Sequence, residues 1–188
     1  DFNEIQSIFW RNSNLNFNNK TSLLKSLEEK PNKDWLKRIN ECEDEKVLKY
    51  FLNDKHNINI EDNLEVLKII WECCQIPDFV KKAYGNHLDV VSKVFKFLTG
   101  KTKKIPNQYM KEQLSVLDKL EGNVDSLSNR IANVRTWSYV SNKSNWVENQ
   151  DYWIERTKNL EDKLSDRLHE ELTKTFIDKR ASVLARGL

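Results

Sequence analysis

Turn-forming residues are scarce in this chain, with four glycines and three prolines among 188 residues. That leaves little chemistry for hairpins and tight turns, and it favours long helices over strands. No apolar run approaches the roughly 20 residues that a membrane-spanning helix needs, and no secretory signal is present. Three cysteines, Cys42, Cys73 and Cys74, make neither a disulfide framework nor a C-x-x-C pair. A reducing, cytoplasmic setting is the simple reading. An excess of one charge is missing too, since 31 Lys and Arg against 29 Asp and Glu give a net +2. The pI of about 8.3 falls short of the value above about 9 that marks a dedicated nucleic-acid binder. Contact with nucleic acid is therefore left to local patches. The first residue is Asp1 and the only methionine is Met110, which reads as a module cut from a longer protein.

What the chain does have is aromatic bulk among charge. Apolar residues make up 38% and charged residues 32%, and six Trp, eight Phe and five Tyr supply large surfaces to bury. Mean hydropathy is −0.74. Residues 123–186 contain neither proline nor glycine. Within them Leu160, Leu164, Leu168, Leu172 and Phe176 recur at spacings that share a helical face. The expected architecture is all-α, an irregular multi-helix array with a long C-terminal helix and no strands. Helices are expected at 21–29, 33–40, 44–53, 62–74, 86–99, 106–120, 124–141 and 151–186, with Asp44 and Asp151 as caps of their helices. Residues 1–20 are polar, Asn-rich and expected to be irregular. The last helix, at 1.5 Å per residue, would span roughly 50 Å. Its apolar stripe is expected to lie against Leu127, Ile131, Val134 and Trp137 of the helix before it.

Few residues carry obvious chemistry. Gly100-Lys101-Thr102 ends like a phosphate-binding loop, but Phe95 stands where the leading glycine belongs and a helix precedes it instead of a strand. Asp44-Glu45-Lys46 lacks the histidine of a D-E-x-H box. His56, His87 and His169 are far apart in sequence, with no partner at ligand spacing. No metal or catalytic group is expected. Lys101, Lys103 and Lys104 form a basic loop flanked by Phe97 and Tyr109. That loop is either a phosphate contact or a solvated turn. Arg130 and Arg135 stand among apolar residues, where arginines bind nucleic-acid phosphates, pair with carboxylates or clamp a neighbouring domain. Tryptophans 35, 71, 137, 146 and 153 read as core anchors, while Trp10, in the polar leader, reads as a plug for a pocket here or next door.

Four blocks of sequence, taken in order, resemble one family. They are Trp10-Arg11-Asn12 with Leu15 and Phe17, and Trp71-Glu72-Cys73-Cys74-Gln75-Ile76-Pro77-Asp78-Phe79. After them come Arg130-Ile131-Ala132 with Arg135-Thr136-Trp137, and the final helix from Glu161-Asp162 through Leu164-Ser165-Asp166 and Leu168-His169 to Arg180. Together they are similar to the region after the ATPase core in DExH-type superfamily-two RNA helicases, those of the mitochondrial degradosome and their alphaproteobacterial relatives. Asn16 stands where that family usually has Asp. The resemblance implies that 1–20 is a strap from an ATPase core outside these residues. It makes 21–188 a helical accessory domain, divisible at 21–122 and 123–188. It implies no cofactor in this stretch, with ATP and magnesium held by the core, and a bacterial source. The implied partners are that core, a single strand of RNA or DNA, and an exonuclease, with no membrane. Lys101, Lys103, Lys104, Arg130 and Arg135 are then the nucleic-acid contacts. Trp10, Arg11, Val183 and Leu184 are the docking points for the core. A helical protein-interaction scaffold without a nucleic-acid role is the competing expectation.

Overall fold

Asparagine, scarce neither in this sequence nor at its helix starts, sets where three of the helices begin. The side chains of Asn19, Asn63 and Asn123 accept hydrogen bonds from the N–H groups of Ser22, Val66 and Ser126. Each satisfies a first-turn donor, an interaction worth about 1 kcal/mol. The computed structural model describes residues 8–53, 58–81 and 84–187; the expectations for 1–7 and for His56 lie outside them. In chain order the elements are β1 (Ile8–Trp10), α1 (Lys20–Leu27), β2 (Leu36–Arg38), α2 (Glu43–Leu52), α3 (Leu64–Cys74), α4 (Tyr84–Leu98), α5 (Asn107–Leu117), α6 (Val124–Asn142) and α7 (Gln150–Arg186). The fold is predominantly α, as the composition requires.

Two compact units divide the chain. The first comprises Asp1–Ile76 and Leu88–Thr99, the second Pro77–His87 and Gly100–Leu188. In the first, β1 and β2 pair in parallel with Ile8 opposite Leu36 and Trp10 opposite Arg38. Parallel strands need a crossover, and α1 supplies it. This pair corrects three expectations, the absence of strands, an irregular leader and a helix at 33–40. Strands of three residues are too short to display alternation. Trp35 is therefore on no helical face and is 56% exposed, unlike Trp71, Trp137, Trp146 and Trp153, which are buried. The caps differ as well. Cys42 precedes α2 and Asn149 precedes α7, neither capping its helix through its side chain. Asp44 and Asp151 lie inside the first turns, where a carboxylate favours the positive end of the helix dipole without capping it.

In the second unit α6 and α7 form a helical hairpin joined through residues 143–149. Helix α7 is unbroken for 37 residues, about 55 Å, whereas the 19 residues of α6 give only about 28 Å. The partner therefore runs out halfway. Leu127, Ile131, Val134 and Trp137 of α6 are buried together with Leu160 and Leu164 of α7. Leu168 is only half-buried, and Leu172 and Phe176 are exposed at 47% and 63%. The stripe expected to extend to Phe176 is thus covered only as far as α6 reaches. Steps of four residues also turn it by about 40° each time, away from the line of contact.

Candidate nucleic-acid interface

The lysine loop is built on a buried anchor. Ile105, fully buried, donates its N–H to the Trp146 carbonyl at 2.7 Å and bridges to Val147. Lys101 and Lys103 are exposed and Lys104 is half-buried. Lys103 adopts φ +55°, and Thr102 Oγ1 donates to the Lys104 carbonyl, both marks of a tight turn. The Lys143 ammonium lies 5.4 Å from the ring centroid of buried Trp146, a cation–π contact. The Ile105–Trp146 bond therefore places a fourth lysine's segment beside the loop. Sequence spacing offered no hint of this, because the two segments meet only through that bridge. The loop follows α4 directly, so no strand precedes Gly100-Lys101-Thr102 and the backbone cradle for phosphates is not formed.

Both candidate arginines are bonded to groups of their own unit. Arg130 Nη1 donates to the Lys119 carbonyl at 2.8 Å and also to that of Glu121. It thereby holds the bend at Gly122, whose φ of +129° suits glycine; a side chain there would crowd Ser126 and Arg130. Arg135 Nε donates to Glu161 Oε1 at 2.8 Å, joining α6 to α7, although its side chain is 55% exposed. Thr136 Oγ1 donates to the Pro77 carbonyl at 3.3 Å. A second clamp closes from the end of α5, where Asp118 accepts from Arg156 at 2.8 Å and Lys163 at 3.1 Å. The Lys163 hydrogen bond, against a smaller cost of burial and with help from Arg156, lowers the Asp118 carboxyl below its ordinary range.

Of the four docking candidates, two are tied down in the first unit. Arg11 binds both oxygens of Asp44, at 2.7 and 3.1 Å, and reaches Glu45 Oε1 at 3.3 Å. It also lies 5.4 Å from the Trp71 ring centroid. The Asp44 hydrogen bond raises the Arg11 pKa, so its charge is permanent. Arg38 reaches the other Glu45 oxygen at 3.4 Å, and Glu45 itself is 1% exposed. Trp10, half-buried, ends β1 beside Arg38. Cys42, Asp44 and Glu45 present ligand atoms within 4.8 Å of one another, but two arginines already neutralise the carboxylates where a cation would sit. Cys74 is buried beside Cys73, and burial first and that neighbour second push its thiol up, away from reactivity. Val183 and Leu184, by contrast, are 67% and 65% exposed near the end of α7.

No helix of the described residues is long and apolar enough to cross a membrane. No protein-family model, curated protein or solved structure matches this chain.

Proposed function

We propose that this chain is the helical accessory domain of an ATP-dependent RNA helicase, closing a nucleic-acid channel and touching the strand through its backbone. The ATPase core, with its ATP and magnesium, lies outside these residues in this reading. The supporting observation is where the family-like blocks meet. Within the first unit, Arg11 of the leading block sits against Trp71 of the second. Within the second unit, Thr136 bonds to Pro77 and Arg135 pairs with Glu161, which unites the second, third and fourth blocks. Residues that carry the resemblance thus touch or bond to one another within each unit. The chain's own share of the activity is electrostatic, from Lys101, Lys103 and Lys104 with Lys143 beside them. An exonuclease and the core remain the protein partners in this proposal, and a bacterial cytoplasm the setting.

The test is binding of a labelled single-stranded RNA across a salt series. Affinity is expected to be weak and to fall with salt at a log–log slope of about −0.7 per neutralised phosphate. Lys101→Ala, Lys103→Ala and Lys104→Ala together should flatten that slope by about 0.7 for each phosphate that goes unneutralised. A chain that binds no RNA, or binds with a slope the triple variant leaves unchanged, would overturn the assignment of the loop. The scaffold reading draws on a separate observation, the exposed Phe176, Ile177, Val183 and Leu184 of α7. It would gain from salt-independent capture of a protein and no RNA binding.

A further inference from the structure

The starts of α5 and α7 face a cavity of about 420 Å³ in the second unit, lined by Gln108, Lys111, Asn149, Tyr152 and Arg156 among others. Its frame is rigid. The Ile105–Val147 bridge brings the two helix starts together, the Asn107 N–H donates to Glu148 Oε2, and buried Trp153 donates its indole N–H to Asn107 Oδ1 at 2.9 Å. On that frame stands Tyr152, in edge-to-face contact with Trp153 at 4.7 Å and 81°, yet 57% exposed. A large aromatic ring held in place and open to solvent is a stacking platform.

The polar lining is mostly donor groups. Arg156 reaches Asp118 through Nη2, and Lys111 makes no ion pair among the described residues. Neither α5 nor α7 starts with a side-chain cap, so the Asn149 amide is not spent on capping. Carboxylates nearby are already bound, Glu112 to Gln108, Glu148 to the Asn107 N–H and Asp118 to Arg156. Small-molecule sites occupy about 300–1,000 Å³, so this cavity is of a size for a single nucleotide. The lysine loop leads straight into it, since only Ile105 and Pro106 separate Lys104 from the start of α5.

We propose that this cavity takes one unpaired nucleotide of a single-stranded nucleic acid. The base stacks on Tyr152 and meets the Asn149 amide, and the adjoining phosphate lies against Lys111 and Arg156. The inference rests on the proposed function and gives it a specific seat for the strand. Stacking on an aromatic ring accepts any base, which suits a domain along which a strand must pass.

The experiment is anisotropy of a labelled oligouridylate of about ten nucleotides at low salt, with the whole chain and its Tyr152→Ala, Tyr152→Phe and Lys111→Ala variants. Tyr152→Ala should weaken binding about tenfold or more, while Tyr152→Phe keeps the ring and the affinity. Lys111→Ala should reduce the salt slope by about 0.7, one phosphate contact's worth. Because Tyr152 is largely exposed, circular dichroism should show all variants folded. The same dependence on Tyr152 with oligothymidylate also supports the site. Wild-type binding that Tyr152→Ala leaves unchanged overturns the cavity alone, and a wild-type chain that binds neither oligonucleotide removes the proposed function with it.

Discussion

Removing the Arg11 guanidinium should destabilise the first unit selectively, and the size of the effect can be worked from its partners. Arg11 makes a two-pronged contact with Asp44 at 2.7 and 3.1 Å and a weaker one with Glu45 at 3.3 Å. A charge-assisted hydrogen bond contributes about 1.5–3 kcal/mol, and breaking a buried pair costs about 3–5 kcal/mol because the remaining charge is stranded. Asp44 keeps some solvent and Glu45 keeps Arg38 at 3.4 Å, which places Arg11→Ala in the lower part of that range, at about 3 kcal/mol. Hydrogen exchange of the α2 and α3 amides reads this unit directly. At about 1.4 kcal/mol per decade, their protection should fall about a hundredfold. The decisive control is Glu45→Gln, which removes the stranded charge. In the Arg11→Ala background it should restore part of the protection, a coupling of about 1–3 kcal/mol. Unchanged protection in Arg11→Ala, or no recovery in the double variant, would refute the claim that Arg11 balances a buried carboxylate.

Two further outcomes follow from the second unit. Leu164→Ala, at a fully buried position, should cost about 3–5 kcal/mol in urea denaturation, whereas Leu172→Ala should stay within about 0.5 kcal/mol; equal losses at the two would mean that α7 is covered along its whole length. Asp118 has its carboxyl lowered from 3.8, so its contribution is complete above that value and is lost as pH falls through the lower folded-state value. Stability should be flat above about pH 5 and drop in acid by about 1 kcal/mol or less from this group, and Asp118→Asn should lack that increment; an identical acid limb in the variant would show that the clamp to Arg156 and Lys163 contributes nothing.

Helix positions were legible because their signals are local. The long breaker-free run located α6 and α7 to within a residue or two, and α2 and α3 also fall close to the ranges expected at 44–53 and 62–74. The β1–β2 pair was not legible, since three-residue strands carry no period and their pairing depends on α1 returning the chain. Leu168, Leu172 and Phe176 have the right spacing for burial, but spacing does not say what covers a face, and the expected lengths of the two helices already left the second half of α7 without α6 beside it. The lysines at 101–104 stood out as a charge run. Lys143 and Tyr152 did not, because what distinguishes them is a neighbour distant in sequence, Trp146 beside Ile105 in one case and the cavity at the start of α5 in the other. The role of asparagine as a helix starter was readable in principle from Asn19, Asn63 and Asn123, each directly before a helical pattern.

Helix α7 is a lever. It is gripped over its first half by α6 and the Asp118 clamp, while its second half, about 28 Å of stiff rod, carries Phe176, Ile177, Val183 and Leu184 in solvent. A tilt of about 10° at the grip would move the far end by roughly 5 Å, close to one helical turn. Whatever reads Val183 and Leu184 would therefore register small repackings around Leu160 and Leu164 in enlarged form. Conversely, a modest push at the tip would bear on Arg135–Glu161 and the clamp at Asp118.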